Sequence, residues 1–101
     1  METAVFLDAE AIRRACERYG VQRLRVFGSV LTDRFDPVTS DVDFLVTFQS
    51  ERENLFHDYF DLKFALERIV GRGVDLVVER SVRNPFFKAA AFASAQDLYA
   101  A

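Results

Sequence analysis

The sequence predicts an α/β domain in which helical and strand-like segments alternate along the chain. Apolar residues recur at helical spacing in some segments, and three short runs are rich in branched and aromatic residues. Glycines separate several of these segments. Because 50% of the 101 residues are apolar and 29% are charged, a chain of this length can bury one core. We therefore expect residues 1–101 to form a single domain.

Capping residues support the predicted element boundaries. Asp8 and Asn84 suit helix N-caps, and Pro85 suits the first turn of a helix. Gly20 and Gly71 stand where helical patterns stop. The predicted elements are a helix over 8–19, a strand over 23–27, a short helical segment over 30–34, a strand over 42–48, a helix over 54–70, a strand over 74–78 and a helix from 85 to about 99. The predicted order is α-β-α-β-α-β-α.

The last predicted helix is apolar around most of its circumference, because phenylalanines and alanines occupy both its stripe and its flanks. A sheet covers one side of a helix, so the other side is expected to form a partner surface with Phe92 as an anchor. Alternatively, the small alanines expose little area and the helix simply lies on the sheet. A homo- or hetero-oligomer through this helix stays open.

Charge and cysteine content exclude several classes of function. Thirteen Lys and Arg against sixteen Asp and Glu give a net charge of −3, which disfavours direct binding of nucleic acid. The single cysteine, Cys16, excludes an internal disulfide and a cysteine zinc cluster. The sequence starts without a basic leader, and its apolar runs are too short to span a bilayer. We expect a cytoplasmic protein without a membrane partner.

Gly28 and Ser29 form the first candidate site, because they end a predicted strand and precede a predicted helical segment. A missing side chain lets the backbone approach a ligand, and free N–H groups at the start of a helix favour a phosphate. On its own this signal is weak, since Gly-Ser is an ordinary turn.

Three aspartates stand in or beside the second and third predicted strands. Asp41 and Asp43 are two residues apart, so both carboxylates project from one face of a strand. Asp75 is the only charge in the third strand. Each acid alone is most simply a solvated residue at a strand end. Together, beside a phosphate-ready turn, they have the layout of a two-magnesium site, since Mg²⁺ prefers oxygen ligands and stays open to substrate phosphates.

These motifs resemble the minimal nucleotidyltransferases (MNT proteins) of the DNA polymerase β-like superfamily. The resemblance rests on Gly28-Ser29, on the run from Ser40 to Val46 and on the run from Val74 to Val77, and it covers nearly the whole chain. It implies the polymerase β-like nucleotidyltransferase fold, an α/β (α+β) arrangement. In that fold, a small mixed sheet of three to four strands has helices packed against it.

The resemblance also implies a reaction, the transfer of AMP from ATP with release of pyrophosphate. Asp41 and Asp43 would hold two Mg²⁺ ions, and Asp75 would complete the site of the ion that activates the attacking hydroxyl and could take its proton. Gly28 and Ser29 would cradle the β- and γ-phosphates. Many MNT proteins are antitoxins of a HEPN ribonuclease, some by attaching AMP to a tyrosine of that toxin.

Two other functions stay open. The domain could neutralise its partner by binding alone, with the acids kept as a vestigial or nucleotide-responsive site. A drug- or RNA-modifying transferase would need an acceptor-binding region that 101 residues do not supply. His57, Arg23 and Arg25 are predicted to be surface residues outside the site.

Overall fold

The computed structural model describes residues 7–28, 41–50 and 54–101, with only the backbone at Ala91. The predicted helical segment over residues 30–34 and Ser29 lie outside these ranges. Within them the elements are α1 (Ala9–Arg18), β1 (Val21–Phe27), β2 (Val42–Phe48), α2 (Leu55–Val70), β3 (Val74–Val78), a 3-10 turn at Glu79–Ser81, α3 (Pro85–Ser94) and β4 (Gln96–Ala100).

Capping residues set the helix boundaries. The side chains of Asp8, Asn54 and Asn84 accept hydrogen bonds from first-turn N–H groups of α1, α2 and α3, and Pro85 follows in the first turn of α3. Gly71 ends α2 with a φ of 75°, a left-handed conformation that glycine adopts without strain. The predicted caps at positions 8, 71 and 84 are confirmed. None of the helices in the described ranges is long and apolar enough to cross a membrane.

The four strands of the described residues form one mixed sheet in the order β3-β2-β1-β4. β1 pairs antiparallel with both β2 and β4, whereas β2 and β3 are parallel. A parallel pair needs a crossover connection, and α2 lies between β2 and β3 in the chain. The predicted fold class, a small mixed sheet of three to four strands with helices packed against it, is confirmed.

The two faces of the sheet have different environments, because side chains alternate along each strand. The core face packs against α1 and α2, and its most buried residues include Leu24, Val26, Val42, Phe44 and Val46. The opposite face, here called the open face, carries Arg25, Phe27, Asp43, Leu45 and Asp75. On the open face, Phe27 and Leu45 form a second cluster with Phe92 and Ala95.

The predicted C-terminal helix is wrong beyond Ser94, where α3 ends. Residues 96–100 instead form β4 along β1, and Arg23 makes an ion pair with Asp97 at 2.7 Å. Alanine-rich sequence favours helix, but the N–H and C=O groups of β1 would otherwise be unpaired at a sheet edge. Leu98, within the segment predicted to be helical, instead packs against the core from β4.

Candidate active site

Asp43 and Asp75 are neighbours on the open face of the sheet. They are register partners across the parallel strands β2 and β3, so their side chains project from the same face. Asp41 directly precedes β2, and the adjacent Val42 N–H donates to the Gly73 carbonyl at 3.1 Å. The fold thus brings the predicted acids to the start of β2 and β3.

The electrostatics of Asp43 indicate that these acids influence one another. Burial, then the negative charge of Asp75 and then that of Asp41, raise the pKa of Asp43 to about 6. At pH 7 the carboxylate is still mainly ionised, although its charge is disfavoured by its surroundings. A cation bound here would relieve that cost.

Two glycines make room for the carboxylates. Gly28 has a φ of 80°, and a Cβ atom at this position would collide with Oδ2 of Asp43. A Cβ atom at Gly73 would likewise collide with Oδ1 of Asp41. Sequence reasoning identified Gly28 but missed Gly73. The sequence could have indicated a role for Gly73. One glycine, Gly71, is enough to end α2, so a second glycine two residues later needs another explanation.

The acidic site fits Mg²⁺ by its donor chemistry and by these cradles. Among the described residues, no three His, Cys, Asp or Glu side chains converge on a point where one metal ion could bind. Mg²⁺ is usually held by one or two carboxylates together with water and substrate phosphates. The in-register pair of Asp43 and Asp75 meets that smaller requirement.

A cavity of about 310 Å³ lies beside Asp43, between the sheet and α3. The Phe27 and Phe87 rings in its lining meet edge to face, with centroids 6.1 Å apart. The predicted site contained Gly28 and Asp43 but not this aromatic wall. The phenylalanines of α3 could have predicted an aromatic wall somewhere in the domain. Their position over β1, however, depends on how the helix packs.

Arg25 is a buried residue of the open face, so its prediction as a surface charge is wrong. Only 7% of Arg25 is exposed, and its guanidinium forms an ion pair with Glu79. The Thr47 hydroxyl donates to the other Glu79 oxygen at 2.8 Å, and the Phe92 ring lies 4.7 Å from Cζ of Arg25. The sequence contains a feature that could have predicted this burial. Arg25 and Phe27 are two residues apart in a strand, so both lie on the same face of β1.

The predictions for three other residues have different outcomes. Arg23 is exposed, as predicted, and so is His57, whose ring nitrogen lies 3.2 Å from the Asn54 side-chain amide. Phe92 is half-buried against the second cluster and is therefore not a free interface anchor. The exposed aromatic residues of α3 are instead Phe86, which is 85% exposed, and Phe87, which is 44% exposed.

A sequence model of the nucleotidyltransferase domain matches residues 9–98, which contain the described acids and both glycines. This chain belongs to the nucleotidyltransferase domain family. The match spans most of the sheet and all three helices of the described residues. The predicted enzyme class, a nucleotidyltransferase, is thereby confirmed.

Relatives of this nucleotidyltransferase domain indicate to which group within the family it belongs. Over 72 residues it is 36% identical to the protein adenylyltransferase MntA of Thermococcus cleftensis, which covers 71% of this chain and 70% of that protein. A solved structure assigned as a minimal nucleotidyltransferase matches with a TM-score of 0.71 and 38% identity, over 87% of this chain and 86% of the other. The predicted membership of the MNT proteins is confirmed.

A more distant match shares the fold of this nucleotidyltransferase domain. It is a chain of the complex between a tri-AMPylated HEPN toxin of Shewanella oneidensis and an MNT antitoxin. The TM-score is 0.62 at 20% identity, over 92% of this chain and 70% of the other.

Proposed function

We propose that this nucleotidyltransferase transfers AMP from ATP to a protein in a Mg²⁺-dependent reaction. We further propose that it acts as the antitoxin of a HEPN ribonuclease toxin and that a tyrosine of the toxin is the acceptor. The observation that carries the proposal is the in-register pair of Asp43 and Asp75 on the open face. The name of the Thermococcus relative and the AMPylated toxin in the Shewanella complex support the choice of acceptor class.

In the proposed reaction, the acceptor hydroxyl oxygen attacks the α-phosphorus of ATP. The bond from that phosphorus to the bridging oxygen of the β-phosphate breaks, and pyrophosphate leaves. The hydroxyl proton passes to the Asp75 carboxylate, which faces solvent and can exchange it. Gly28, which has no side chain beside Asp43, lets the triphosphate approach the backbone, and Ser29 contributes its N–H and hydroxyl.

Asp41, Asp43 and Asp75 are the proposed ligands of two Mg²⁺ ions. When bound, Mg²⁺ neutralises phosphate charge and lowers the pKa of the attacking hydroxyl. The raised pKa of Asp43 supports this role, because a cation would offset the repulsion from Asp41 and Asp75. The backbone N–H groups at Gly28 and Ser29 would position the α-phosphorus for in-line attack.

Neutralisation by contact alone is the second candidate function. The exposed Phe86 ring of α3 favours it, because an apolar residue at the surface suits a protein interface. The acidic site favours catalysis, because clustering carboxylates around a partly buried Asp43 costs stability that simple binding does not require.

Co-expression with a HEPN ribonuclease toxin tests both functions. Incubation with ATP and Mg²⁺ should add AMP-sized increments to the intact mass of the toxin, and the increment should disappear when the acceptor tyrosine is changed to Phe. Asp43→Asn should abolish the increment. Asp61→Asn, which removes an exposed acid of α2, is the matched control and should leave it unchanged.

The two functions give different results in the same experiment. A folded wild-type protein that binds and inhibits the toxin but never changes its mass would contradict AMP transfer and support neutralisation by contact. Transfer that continues without a divalent cation would contradict the Mg²⁺ dependence alone.

A further inference from the structure

The cavity beside Asp43 has the composition of a binding site for a planar organic group. Its lining combines aromatic and small residues with one carboxylate and one hydroxyl: Phe27, Gly28, Asp43, Phe87, Ala90 and Ser94. Ligand cavities commonly begin near 300 Å³ and are mostly apolar with a few convergent polar groups. At about 310 Å³ this cavity is large enough for one ring system but not for a folded segment of a partner.

The sheet order separates this cavity from the proposed acceptor side. The cavity is lined from β1 and α3 and reaches β2 at Asp43, whereas Asp75 lies on β3, beyond Asp43. The proposed function gives Asp75 to the acceptor hydroxyl and Gly28 to the triphosphate. Because Gly28 lines the cavity, the cavity lies on the nucleotide side of the site.

The aromatic wall suits a flat ring. The Phe27 and Phe87 rings meet at 84°, so the edge of one ring points at the face of the other. Phe87 is 44% exposed, which leaves part of its ring available to a ligand. Nucleobases stack on aromatic side chains regardless of sequence, because every base presents a π-face.

We propose that this cavity receives the nucleobase of the nucleoside triphosphate, with Phe87 as its stacking wall and α3 as its roof. The proposal rests on the proposed nucleotidyl transfer, because that function places the triphosphate at Gly28. α3 is held over the sheet by the packing of Phe92 on Arg25 and on the second cluster of the open face. The roof is therefore present before the nucleotide binds.

Filling the cavity tests the proposal, with the neighbouring alanine as a matched control. Ala90 lines the cavity, Ala89 is not among its lining residues, and both are exposed positions of α3. Titration calorimetry with Mg²⁺ would compare the Kd of ATP with that of inorganic tripolyphosphate, which lacks a base. Ala90→Phe should raise the Kd of ATP about tenfold or more and leave that of tripolyphosphate unchanged. Ala89→Phe should change neither.

A second pair of variants removes the stacking ring instead of blocking the cavity. Phe87→Ala should weaken ATP binding but not tripolyphosphate binding, whereas Phe86→Ala should weaken neither, because Phe86 is almost fully exposed. Thermal melting of all four variants establishes that each is folded before its Kd is compared.

Three outcomes would overturn the proposal. These are an unchanged Kd of ATP in Ala90→Phe, an equal loss of tripolyphosphate binding, or a raised KM for the protein acceptor with ATP binding intact, which would place the acceptor ring in the cavity. Base-dependent binding without any AMP transfer would instead support this proposal and contradict the proposed function. The two failures are therefore distinguishable.

Discussion

The core face and the open face are built from the same strands but have opposite contents. On β2, Phe44 is completely buried against the helices, whereas the preceding residue, Asp43, points to the open face and has a raised pKa. The core face is apolar. The open face combines the acidic site, the buried Arg25 and Glu79 pair and a cavity under α3.

This difference shows how a small domain can place charged side chains on a sheet and keep the sheet stable. Adjacent residues of a strand point to opposite sides, so a carboxylate can be placed beside a buried phenylalanine without entering the core. The destabilising charges are confined to one face, and the other face provides most of the apolar burial. Substitutions on the two faces should therefore have separable effects on stability and activity.

The largest expected effect is on the core face. Phe44→Ala should lower the free energy of unfolding by about 3–5 kcal/mol, because it removes a fully buried ring and leaves a cavity between the sheet and the helices. Denaturant melting measures this change. Asp43→Ala, one residue away on the open face, is the control and should not destabilise the metal-free protein. Equal losses in both variants would show that the two faces are not independent.

Asp43→Asn should lower activity without lowering stability, whereas Phe44→Ala lowers stability. AMP transfer should fall by about 100- to 1,000-fold or more, because a metal ligand at the reacting phosphate is lost. The metal-free domain should be at least as stable as the wild type, since one of several neighbouring negative charges is removed. Transfer assays measure the predicted loss of activity, and melting curves measure the predicted stability. A clear fall in melting temperature would identify Asp43 as a structural partner instead.

Arg25 should give an intermediate effect, because it links the open face to α3. Arg25→Ala should cost about 2 kcal/mol, since it leaves Glu79 without its cation and removes the surface on which Phe92 packs. Arg23→Ala is the matched control from the same strand. Its ion pair with Asp97 is exposed, so the change should lie within about 1 kcal/mol. Similar losses at both positions would contradict a special role for Arg25.

The smallest effect is a pH dependence of the open face. Because the folded pKa of Asp43, about 6, is above the usual value near 4, the folded state binds its proton more tightly than the unfolded state. Stability from this group is present below about pH 4 and is lost as pH rises through 6. The melting temperature of Asp43→Asn relative to the wild type, both metal-free, should therefore rise between pH 4 and pH 7. A constant difference would contradict the raised pKa.

Local sequence predicted the features that depend on local chemistry. The strands over 42–48 and 74–78 match β2 and β3, and the caps at Asp8 and Asn84 are present. The D-x-D pattern and the lone charge in the third strand identified the acids that the structure brings together. Their common position depends on the parallel register of β2 and β3, which residue spacing alone does not give.

The remaining features depend on tertiary contacts, and sequence reasoning missed them. Residues 96–100 have no strong strand pattern of their own, and they become β4 because β1 offers an unpaired edge. Arg25 resembles a solubilising charge until Glu79 and Phe92 are placed around it. The cavity likewise exists only because α3 packs over β1.

The pairing of β1 with β4 has a consequence for folding on the ribosome. Val26 and Gln96 are register partners although β2, α2, β3 and α3 lie between them in the chain. Such a long-range pair closes a large loop and forms slowly compared with helices and hairpins. During synthesis the acidic residues of β2 and β3 emerge before β4, while the edge of β1 is still unpaired. The nascent chain therefore carries these carboxylates before α3, the roof of the cavity, is tethered at both ends. A chaperone would meet β1 as an open edge.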